Sequence, residues 1–312
     1  MPTKTAKAFA PAAISSFFEI CDQTSDGKPI ADIARVGARG GGFGLQKGVL
    51  TEVTVSPSKT SQICVSINGK AAPEAQTTTF VLQELLKKTK GAHDVFVDHK
   101  IEVPIGAGFG TSAGGALTAG LAFAEALKLP LTYNQIGKIA HAADVQCKTG
   151  LGTVTALTAG GSCILVLEPG APGIGVVDRI PLSPSYVIVA GIAGTALNKS
   201  VLSSPKMRPE INRWGKNTLQ AILAKPSVEN FLDCCWQFAQ KTGFATEKVT
   251  QLVDLAKKAG AIGAAQNMIG EVVHALVAEE KAAEVAEAFK QVLPKENVFV
   301  SKLDFQGARL VS

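Results

Sequence analysis

The sequence predicts a fold of the α/β or α+β class, in which helices pack on β-sheets. Segments of alternating apolar and polar residues, typical of strands, are interleaved with segments of helical periodicity. The composition agrees: the chain has 31 glycines but only two Trp and two Tyr, which favours close packing of small residues over a base-stacking surface. The length of 312 residues favours two domains over one.

The first half of the chain is predicted to alternate strands and helices. We expect strands at 48–55, 61–67, 94–103 and 162–170, and helices at 77–91, 112–129 and 132–147. Thr132 is a candidate N-cap, and Leu129-Pro130 ends the helix before it. Segment 6–20 starts like a strand that Pro11 interrupts, and the small-residue segment 150–161 indicates a loop or a helical turn.

The second half is predicted to form a smaller α+β unit. Strands are expected at 186–192, 272–277 and 297–303, with helices within 208–258 and at 279–293. Four prolines punctuate weak patterns between 169 and 184. We therefore expect two domains, 1–178 and 179–312, the second with its helices on one face of a sheet.

Charge and cysteine content exclude several classes of protein. The formal net charge is +5, and no run of basic residues is longer than a pair, so a nucleic-acid partner is not expected. The six cysteines form no CxxC motif, which favours reduced thiols in a cytoplasmic protein. The N-terminus lacks the apolar core of a signal peptide, and no apolar run is long enough to span a membrane. A mildly positive protein suits an anionic small molecule.

The segment "PIGAGFGTSAGGA" (104–116) lies between a predicted strand and a predicted helix. Its alternating glycines allow the backbone to bend sharply and to approach a bulky anion, and the first helical turn offers unpaired N–H groups. The segment is not a P-loop, since no Lys follows the last glycine of the bend, nor a dinucleotide fingerprint. The predicted nucleotide-binding residues are Pro104, Gly106, Ala107, Gly108, Phe109, Gly110, Thr111, Ser112 and Ala113. The alternative is a glycine turn that only allows a helix to pack closely on a strand.

The following helix adds candidate ligands. His141 and Asp144 are three residues apart and therefore share a helix face. Asp144 could complete a Mg²⁺ site with Ser112, because hard divalent cations prefer oxygen ligands. His141 could hold a substrate hydroxyl or carboxylate. The alternative is an amphipathic helix whose polar face meets water.

Three motifs carry a resemblance to the GHMP kinases, a superfamily that includes galactokinase, homoserine kinase and mevalonate kinase. The segment "PIGAGFGTSAGGA" resembles their central signature, "AFAPAAISSFFEI" (8–20) is similar to their first motif, and "GAAQNMIGEVVHAL" (263–276) resembles a degenerate third motif. The order is that of the superfamily. Within it, "FAPAAISSFFE", "GARGGGFGL" (37–45), "QNMIGE" and "DFQGARL" (304–310) are most similar to the archaeal pantoate kinase family.

The resemblance implies a fold and an activity. The fold would comprise an N-terminal domain resembling ribosomal protein S5 domain 2 and a ferredoxin-like C-terminal domain, and the protein would be a homodimer. The activity would be the ATP- and Mg²⁺-dependent phosphorylation of pantoate, a small hydroxy acid, to 4-phosphopantoate on the route to coenzyme A.

The resemblance also implies roles for single residues. Ser112 and Asp144 would bind Mg²⁺ and take part in catalysis, and Arg39 and His141 would bind the substrate. Thr153 stands where many members have an Asp that can act as base, and it is included as a catalytic position. Because that Asp is replaced, two alternatives stay open: a kinase for another small alcohol, such as homoserine or mevalonate, and a non-catalytic nucleotide sensor with the kinase fold.

Overall fold

A computed structural model of the protein describes residues 2–196, 204 and 207–312. In this part of the chain the strands are β1 Lys4–Cys21, β2 Gly37–Ser58, β3 Gln62–Ile67, β4 Lys70–Ala71, β5 Ala92–Ile101, β6 Cys163–Glu168, β7 Val176–Ile180, β8 Tyr186–Ala196, β9 Gly263–Gln266, β10 Gly270–Ala278, β11 Val298–Lys302 and β12 Arg309–Val311. The α-helices are α1 Gln76–Leu86, α2 Thr111–Leu127, α3 Tyr133–Gln146, α4 Thr153–Ala159, α5 Arg208–Ala224, α6 Val228–Lys241, α7 Glu247–Lys258 and α8 Ala282–Lys290.

The larger sheet has eight strands. Its main path runs β12-β1-β2-β5-β3-β4, and β6 pairs with the first part of β2 and carries β7 on its other side. Only the β3–β5 pair is parallel among these strands. Strand β12, from the end of the chain, pairs antiparallel with β1 from the beginning. The two ends of the sequence therefore meet in one sheet.

Strands β1 and β2 form a long antiparallel ribbon, from Lys4↔Val55 to Cys21↔Gly37. We expected Pro11 to interrupt β1, but the strand continues through it. The pairing with β2 shifts register between Pro11 and Ala12, which accommodates a residue without an N–H donor. The glycine-rich start of β2 was not predicted as a strand. It is one because the partner strand comes very close: a Cβ atom at Gly42 would lie 1.6 Å from the Ile14 carbonyl oxygen.

The smaller sheet has the order β11-β8-β10-β9, with every pair antiparallel. Helices α6 and α7 contact β9, and α8 contacts β8, so the helices cover this sheet. The predicted strands at 186–192, 272–277 and 297–303, and the helices within 208–258, are present.

Two clusters of buried apolar side chains hold the fold together. One joins the larger sheet to α1, α2 and α3, with Val53, Leu85 and Leu117 fully buried. The other is continuous from β1 and β2 to the smaller sheet and its helices, and Phe17 and Phe43 contribute to it. The Phe43 and Phe231 rings meet edge to face, with centroids 5.4 Å apart.

Local predictions about helix ends can be compared directly. Thr132 caps α3 as predicted: its side chain accepts from the Gln135 N–H, and the Gln135 side chain accepts from the Thr132 N–H. Segment 150–161 contains a true helix, α4. The domain boundary at 178/179 stays a prediction, and β7 spans it. Every helix in residues 2–196, 204 and 207–312 is too short or too polar to cross a membrane.

Candidate active site

A cavity of about 240 Å³ opens between the glycine-rich bend before α2, the β1–β2 ribbon and the α3–α4 connection. Its far wall is formed by Met268 and Ile269, in the turn between β9 and β10. The chain segments that line the cavity are 11–18, 38–44, 106–113, 144–166, 268–269 and Gly307, each contributing some of its residues. The segments "FAPAAISSFFE", "GARGGGFGL" and "QNMIGE" thus meet at one place, as does part of "DFQGARL".

The glycine bend has the backbone conformation that its sequence predicts. Gly106, Gly108 and Gly110 have φ of 80°, 77° and 64°, in the left-handed region that favours glycine. A Cβ atom at Gly106 would meet nothing within 4 Å, so the bend is open at this point. At Gly110 a Cβ atom would lie 2.9 Å from Thr153 Cγ2 and 3.1 Å from the Ala13 Cβ atom. The bend is open on one side and tightly packed on the other.

The N-terminus of α2 faces this cavity. Gly110 is the N-cap and has no side chain that could cap the first turn. Thr111, Ser112 and Ala113 all line the cavity, and Ser112 is exposed. The first N–H groups of a helix have no partner within it, and they carry the positive end of the helix dipole. Together with the bend, they form an anion-binding surface.

The predicted nucleotide-binding segment is mostly brought to the cavity. Gly106, Gly108, Phe109, Gly110, Thr111, Ser112 and Ala113 line it, whereas Pro104 and Ala107 do not. Ala107 is 1% exposed and belongs to the apolar core. The bend is fixed to β1, because the Ala13 N–H donates to the Phe109 carbonyl oxygen over 2.9 Å.

Asp144 lies near the end of α3, lines the cavity and is 2% exposed. The connection after the helix wraps around its carboxylate. Thr149 Oγ1 donates to Asp144 Oδ1 over 2.5 Å. A Cβ atom at Gly150 would lie 2.5 Å from Asp144 Oδ2, so only glycine fits beside this carboxylate. The carboxylate is thereby held at the cavity wall in one orientation.

Thr153 and Arg39 also line the cavity. Thr153 is the first residue of α4 and contacts the glycine bend through its methyl group. Arg39, on β2, is engaged with three acceptors: Nε donates to the Leu167 carbonyl oxygen, and the terminal nitrogens form ion pairs with Glu19 at 3.3 Å and Glu168 at 3.1 Å.

His141 is not brought to the cavity. The side chain is 1% exposed, and its Nε2 lies 3.0 Å from the Val36 carbonyl oxygen. Burial lowers the pKa of this imidazole. The expectation that His141 faces the substrate is therefore corrected: its position on the Asp144 face of α3 instead directs it to the chain segment before β2.

Sequence reasoning missed two features of the site. The first is the pair Lys148 and Thr149, which line the cavity directly after α3. The only signal for them in the sequence is that they follow Asp144 by four and five residues. Behind the far wall lies a fully buried hydrogen-bonded chain: His274 Nδ1 is 2.7 Å from Asn267 Oδ1, and Nε2 is 3.0 Å from Ser16 Oγ. Burial lowers the pKa of His274 to about 3, so the ring is neutral.

Ser112 and Asp144 line the cavity and carry oxygen atoms, which are the donors that a hard metal ion prefers. In the described part of the chain, no group of three or more His, Cys, Asp or Glu side chains could hold one. One carboxylate and one hydroxyl at an anion-binding bend suit Mg²⁺, which keeps several waters and binds through few side chains and the phosphates of a nucleotide. They do not suit a closed structural site.

The fold and the glycine bend before α2 can now be compared with known proteins. The family model for the N-terminal domain of GHMP kinases matches residues 76–161, which include the bend, α2 and α3. The α+β fold prediction is confirmed by a solved structure described as a phosphotransferase related to the coenzyme A biosynthesis pathway. This structure is 27% identical, has a TM-score of 0.86 and covers 98% of both chains. The protein is a small-molecule kinase of the GHMP type.

Two relatives narrow the class. A pantoate kinase of Thermococcus kodakarensis is 30% identical over 295 residues, covering 94% of this chain and 93% of the relative. A pantoate kinase of Methanocaldococcus jannaschii is 28% identical over 272 residues, covering 87% of this chain and 93% of the relative. The chain therefore belongs to the pantoate kinase family.

Proposed function

We propose that the protein transfers the γ-phosphoryl group of ATP to the terminal hydroxyl of pantoate and releases 4-phosphopantoate and ADP, a step towards coenzyme A. One observation carries the proposal. The open helix N-terminus and the glycine bend form an anion-binding surface inside a cavity. They do so in a chain that is 30% identical to a pantoate kinase over nearly its whole length.

The nucleotide phosphates bind along the bend. The backbone N–H groups of Thr111, Ser112 and Ala113 donate to phosphate oxygens, because no helix carbonyl precedes them to take these hydrogens. Gly106 leaves open space for the phosphates, because a Cβ atom there would meet nothing within 4 Å. Gly108 instead allows the bend to pack on the β9–β10 turn, where a Cβ atom would lie 3.2 Å from the Met268 carbonyl oxygen. Gly110 fixes the angle between the bend and α2.

Ser112 and Asp144 would hold Mg²⁺. When bound, the ion supplies positive charge next to the phosphates and orients them. The protein's own contribution is to hold the Asp144 carboxylate, which Thr149 and Gly150 restrain.

Arg39 orients the acceptor. Its guanidinium has five N–H donors, more than its three present acceptor groups require, and it lines the cavity. A carboxylate of the acceptor can therefore bind to it, although Glu19 and Glu168 balance its charge. His141 has no part in this proposal.

The reaction does not need an Asp at position 153. Phosphoryl transfer passes through a loose transition state, so positioning and charge stabilisation do most of the work. A general base typically contributes about 10²- to 10⁴-fold. Thr153 can position the acceptor hydroxyl through its own hydroxyl but cannot take its proton at neutral pH. We expect a functional enzyme without a carboxylate base.

The test is ADP release measured with pantoate, homoserine and mevalonate as acceptors. We expect turnover with pantoate and none with the other two. Turnover of another acceptor instead of pantoate would contradict the substrate, and ATP binding without turnover of any acceptor would indicate a nucleotide sensor. The homodimer remains our proposal, and sedimentation velocity of the same sample tests it.

Ser112→Ala is expected to lower kcat at least 100-fold, because it removes a donor to the transferring phosphates and a metal ligand. Ser183→Ala, on the exposed surface, is the matched control and should leave kcat unchanged. Thr153→Ala should cost less than Ser112→Ala. Equal and small effects at both positions would contradict the proposed phosphate and metal site.

A further inference from the structure

The charges that line the cavity are few. Among the described residues they are Arg39, Asp144 and Lys148. The Arg39 guanidinium is paired with the carboxylates of Glu19 and Glu168, so its charge is already balanced. Within residues 2–196, 204 and 207–312, the Lys148 ammonium forms no ion pair, and its side chain is exposed. Lys148 is thus the uncommitted cation in this part of the cavity wall.

Lys148 occupies an unusual backbone position. It follows Cys147, the C-cap of α3, and has a φ of 55°, where helices most often have glycine. A non-glycine residue in the left-handed region is strained, and such residues are frequent at functional sites. Strain alone does not indicate a function, because Lys128 is strained as well. It has a φ of 51° at the end of α2 and forms an exposed ion pair with Glu125. Lys148 combines the same strain with a place in the cavity wall.

The backbone turn that carries Lys148 also encloses Asp144. The Thr149 N–H donates to the Asp144 carbonyl oxygen over 3.0 Å, and Thr149 Oγ1 donates to the carboxylate. Lys148 is therefore part of the same turn as Thr149, and it lines the same cavity as the carboxylate proposed to hold the metal ion. Its ammonium is a compact charge on a flexible four-carbon stem, which can reach over this turn.

The reaction builds up negative charge that positive groups in the site can stabilise. In phosphoryl transfer, a bond forms between the acceptor hydroxyl oxygen and the γ-phosphorus, and the bond to the β-phosphate oxygen breaks with its electron pair leaving on ADP. The hydroxyl proton passes to solvent. Negative charge is spread over the three equatorial oxygens, where a positioned cation stabilises the transition state. The acceptor carboxylate adds a further negative charge.

We propose that Lys148 binds the γ-phosphoryl group and stabilises the charge on it during transfer. This inference rests on the proposed nucleotide site, and it assigns a catalytic contact to a residue outside the glycine bend.

Nucleotide binding tests the contact without any acceptor. The probes are ADP and a non-hydrolysable ATP analogue, each with Mg²⁺, measured by calorimetry on the full chain. We expect Lys148→Met to weaken binding of the ATP analogue about tenfold while ADP binding stays unchanged, because only the triphosphate carries the contacted group. Equal effects on both nucleotides, or none, would overturn the inference.

Kinetics with pantoate test the role in the transition state. Lys148→Met should lower kcat about 10- to 100-fold, and Lys148→Arg, which keeps the charge, should restore most of it. Lys138→Met, at an exposed position of the preceding helix α3, is the matched control and should behave like the wild type. A higher KM for pantoate with unchanged kcat would overturn the inference, because it would place the ammonium on the acceptor.

The two proposals fail in different ways. If the wild type phosphorylates no acceptor, the proposed function is wrong, and the comparison of ADP with the ATP analogue still decides the Lys148 contact. Far-UV circular dichroism and thermal unfolding establish that each variant folds. If Lys148→Met does not fold, Lys148→Gln takes its place with the same expected outcomes.

Discussion

Gly110 is the residue on which the proposed phosphate site depends most directly. Its φ of 64° is strained for any side chain, and a Cβ atom would be too close to Thr153 and Ala13. We expect Gly110→Ala to abolish measurable ATP binding and to lower the free energy of unfolding by more than the ~1–2 kcal/mol of left-handed strain. Calorimetry and urea denaturation measure the two effects.

The matched control for this substitution is Gly69→Ala. Gly69 has a φ of 75°, but a Cβ atom there would meet nothing within 4 Å. This variant should show the strain cost alone and bind ATP normally. If Gly110→Ala were no worse than Gly69→Ala in both measurements, close packing behind the bend would not matter.

Two lysines in the left-handed region allow strain and function to be separated. Lys148→Gly and Lys128→Gly should each raise the free energy of unfolding by about 1 kcal/mol, because glycine adopts this conformation without strain. Only Lys148→Gly should lower kcat, since Lys128 is distant from the cavity lining. Unchanged activity in both variants would contradict a catalytic role of Lys148.

The sequence indicated some site residues and misjudged others, for a physical reason. Glycines at 106, 108 and 110 have one conformational use, so their pattern located the bend. His141 shares the Asp144 face of α3, but a shared face does not decide which neighbour a side chain meets. Here the neighbour is the Val36 carbonyl oxygen. Lys148 was missed because the turn that brings it to the cavity is visible only in three dimensions.

At the scale of elements, α2 is supported from behind by a buried histidine on β5. His99 Nδ1 lies 2.7 Å from Thr51 Oγ1, and Nε2 lies 3.0 Å from Thr78 Oγ1. A Cβ atom at Gly115, on α2, would lie 3.5 Å from the His99 ring. Burial lowers the pKa of His99 to about 4, so the ring is neutral when the protein is folded.

This burial makes stability depend on pH. Below about pH 6.5 the unfolded chain takes up a proton on His99 that the folded chain refuses until about pH 4. The free energy of unfolding therefore falls as pH falls through this window, by about 2 kcal/mol from this residue between pH 7.5 and pH 5.

His99→Gln isolates the contribution of this histidine. Glutamine can keep one hydrogen bond to a threonine but has no proton to take up. Urea denaturation at the two pH values should show a smaller loss for the variant than for the wild type, by about 2 kcal/mol. The acid sensitivity that His274 adds is common to both proteins and cancels. Equal losses would mean that His99 is not buried as a neutral ring.

The periodicity of apolar residues predicted the regular helices and strands, but it predicted only part of the β1–β2 ribbon. In the second half of β2 apolar and polar residues alternate, and this half was predicted as a strand. The first half of β2 contains Gly40, Gly41 and Gly42 and shows no such pattern. Glycine is unfavourable in a strand by itself, so local propensity opposed the structure. Residues without side chains are needed at these positions because β1 lies very close to β2. This closeness depends on both strands, so the sequence of β2 alone does not reveal it.

At the scale of the whole molecule, the chain returns to its beginning to complete the site. The segment before β12 forms a turn in which Asp304 accepts hydrogen bonds from the Gln306 and Gly307 N–H groups and pairs with Arg309 at 2.9 Å. This turn brings Gly307 to the cavity wall. Arg309 thus supports the cavity wall through its ion pair with Asp304.

The two predicted domains also share a core. The Phe17 ring, on β1, packs against Phe231 and Phe238, on α6, with centroids 6.1 Å and 6.3 Å apart. Fragment 1–178 lacks these partners and lacks β12, which pairs with β1. Burying a large aromatic side chain contributes about 1.5–3 kcal/mol, a large fraction of the 5–15 kcal/mol that stabilises a typical protein.

We therefore expect that fragment 1–178 does not fold alone, although it contains the whole glycine bend. Thermal unfolding followed by near-UV circular dichroism should show no cooperative transition for the fragment, and calorimetry should show no ATP binding. Mixing it with fragment 179–312 should restore both, because the shared core can then form. A cooperative transition of fragment 1–178 by itself, with ATP bound, would show that the N-terminal half is an independent nucleotide-binding domain and that the shared core is dispensable.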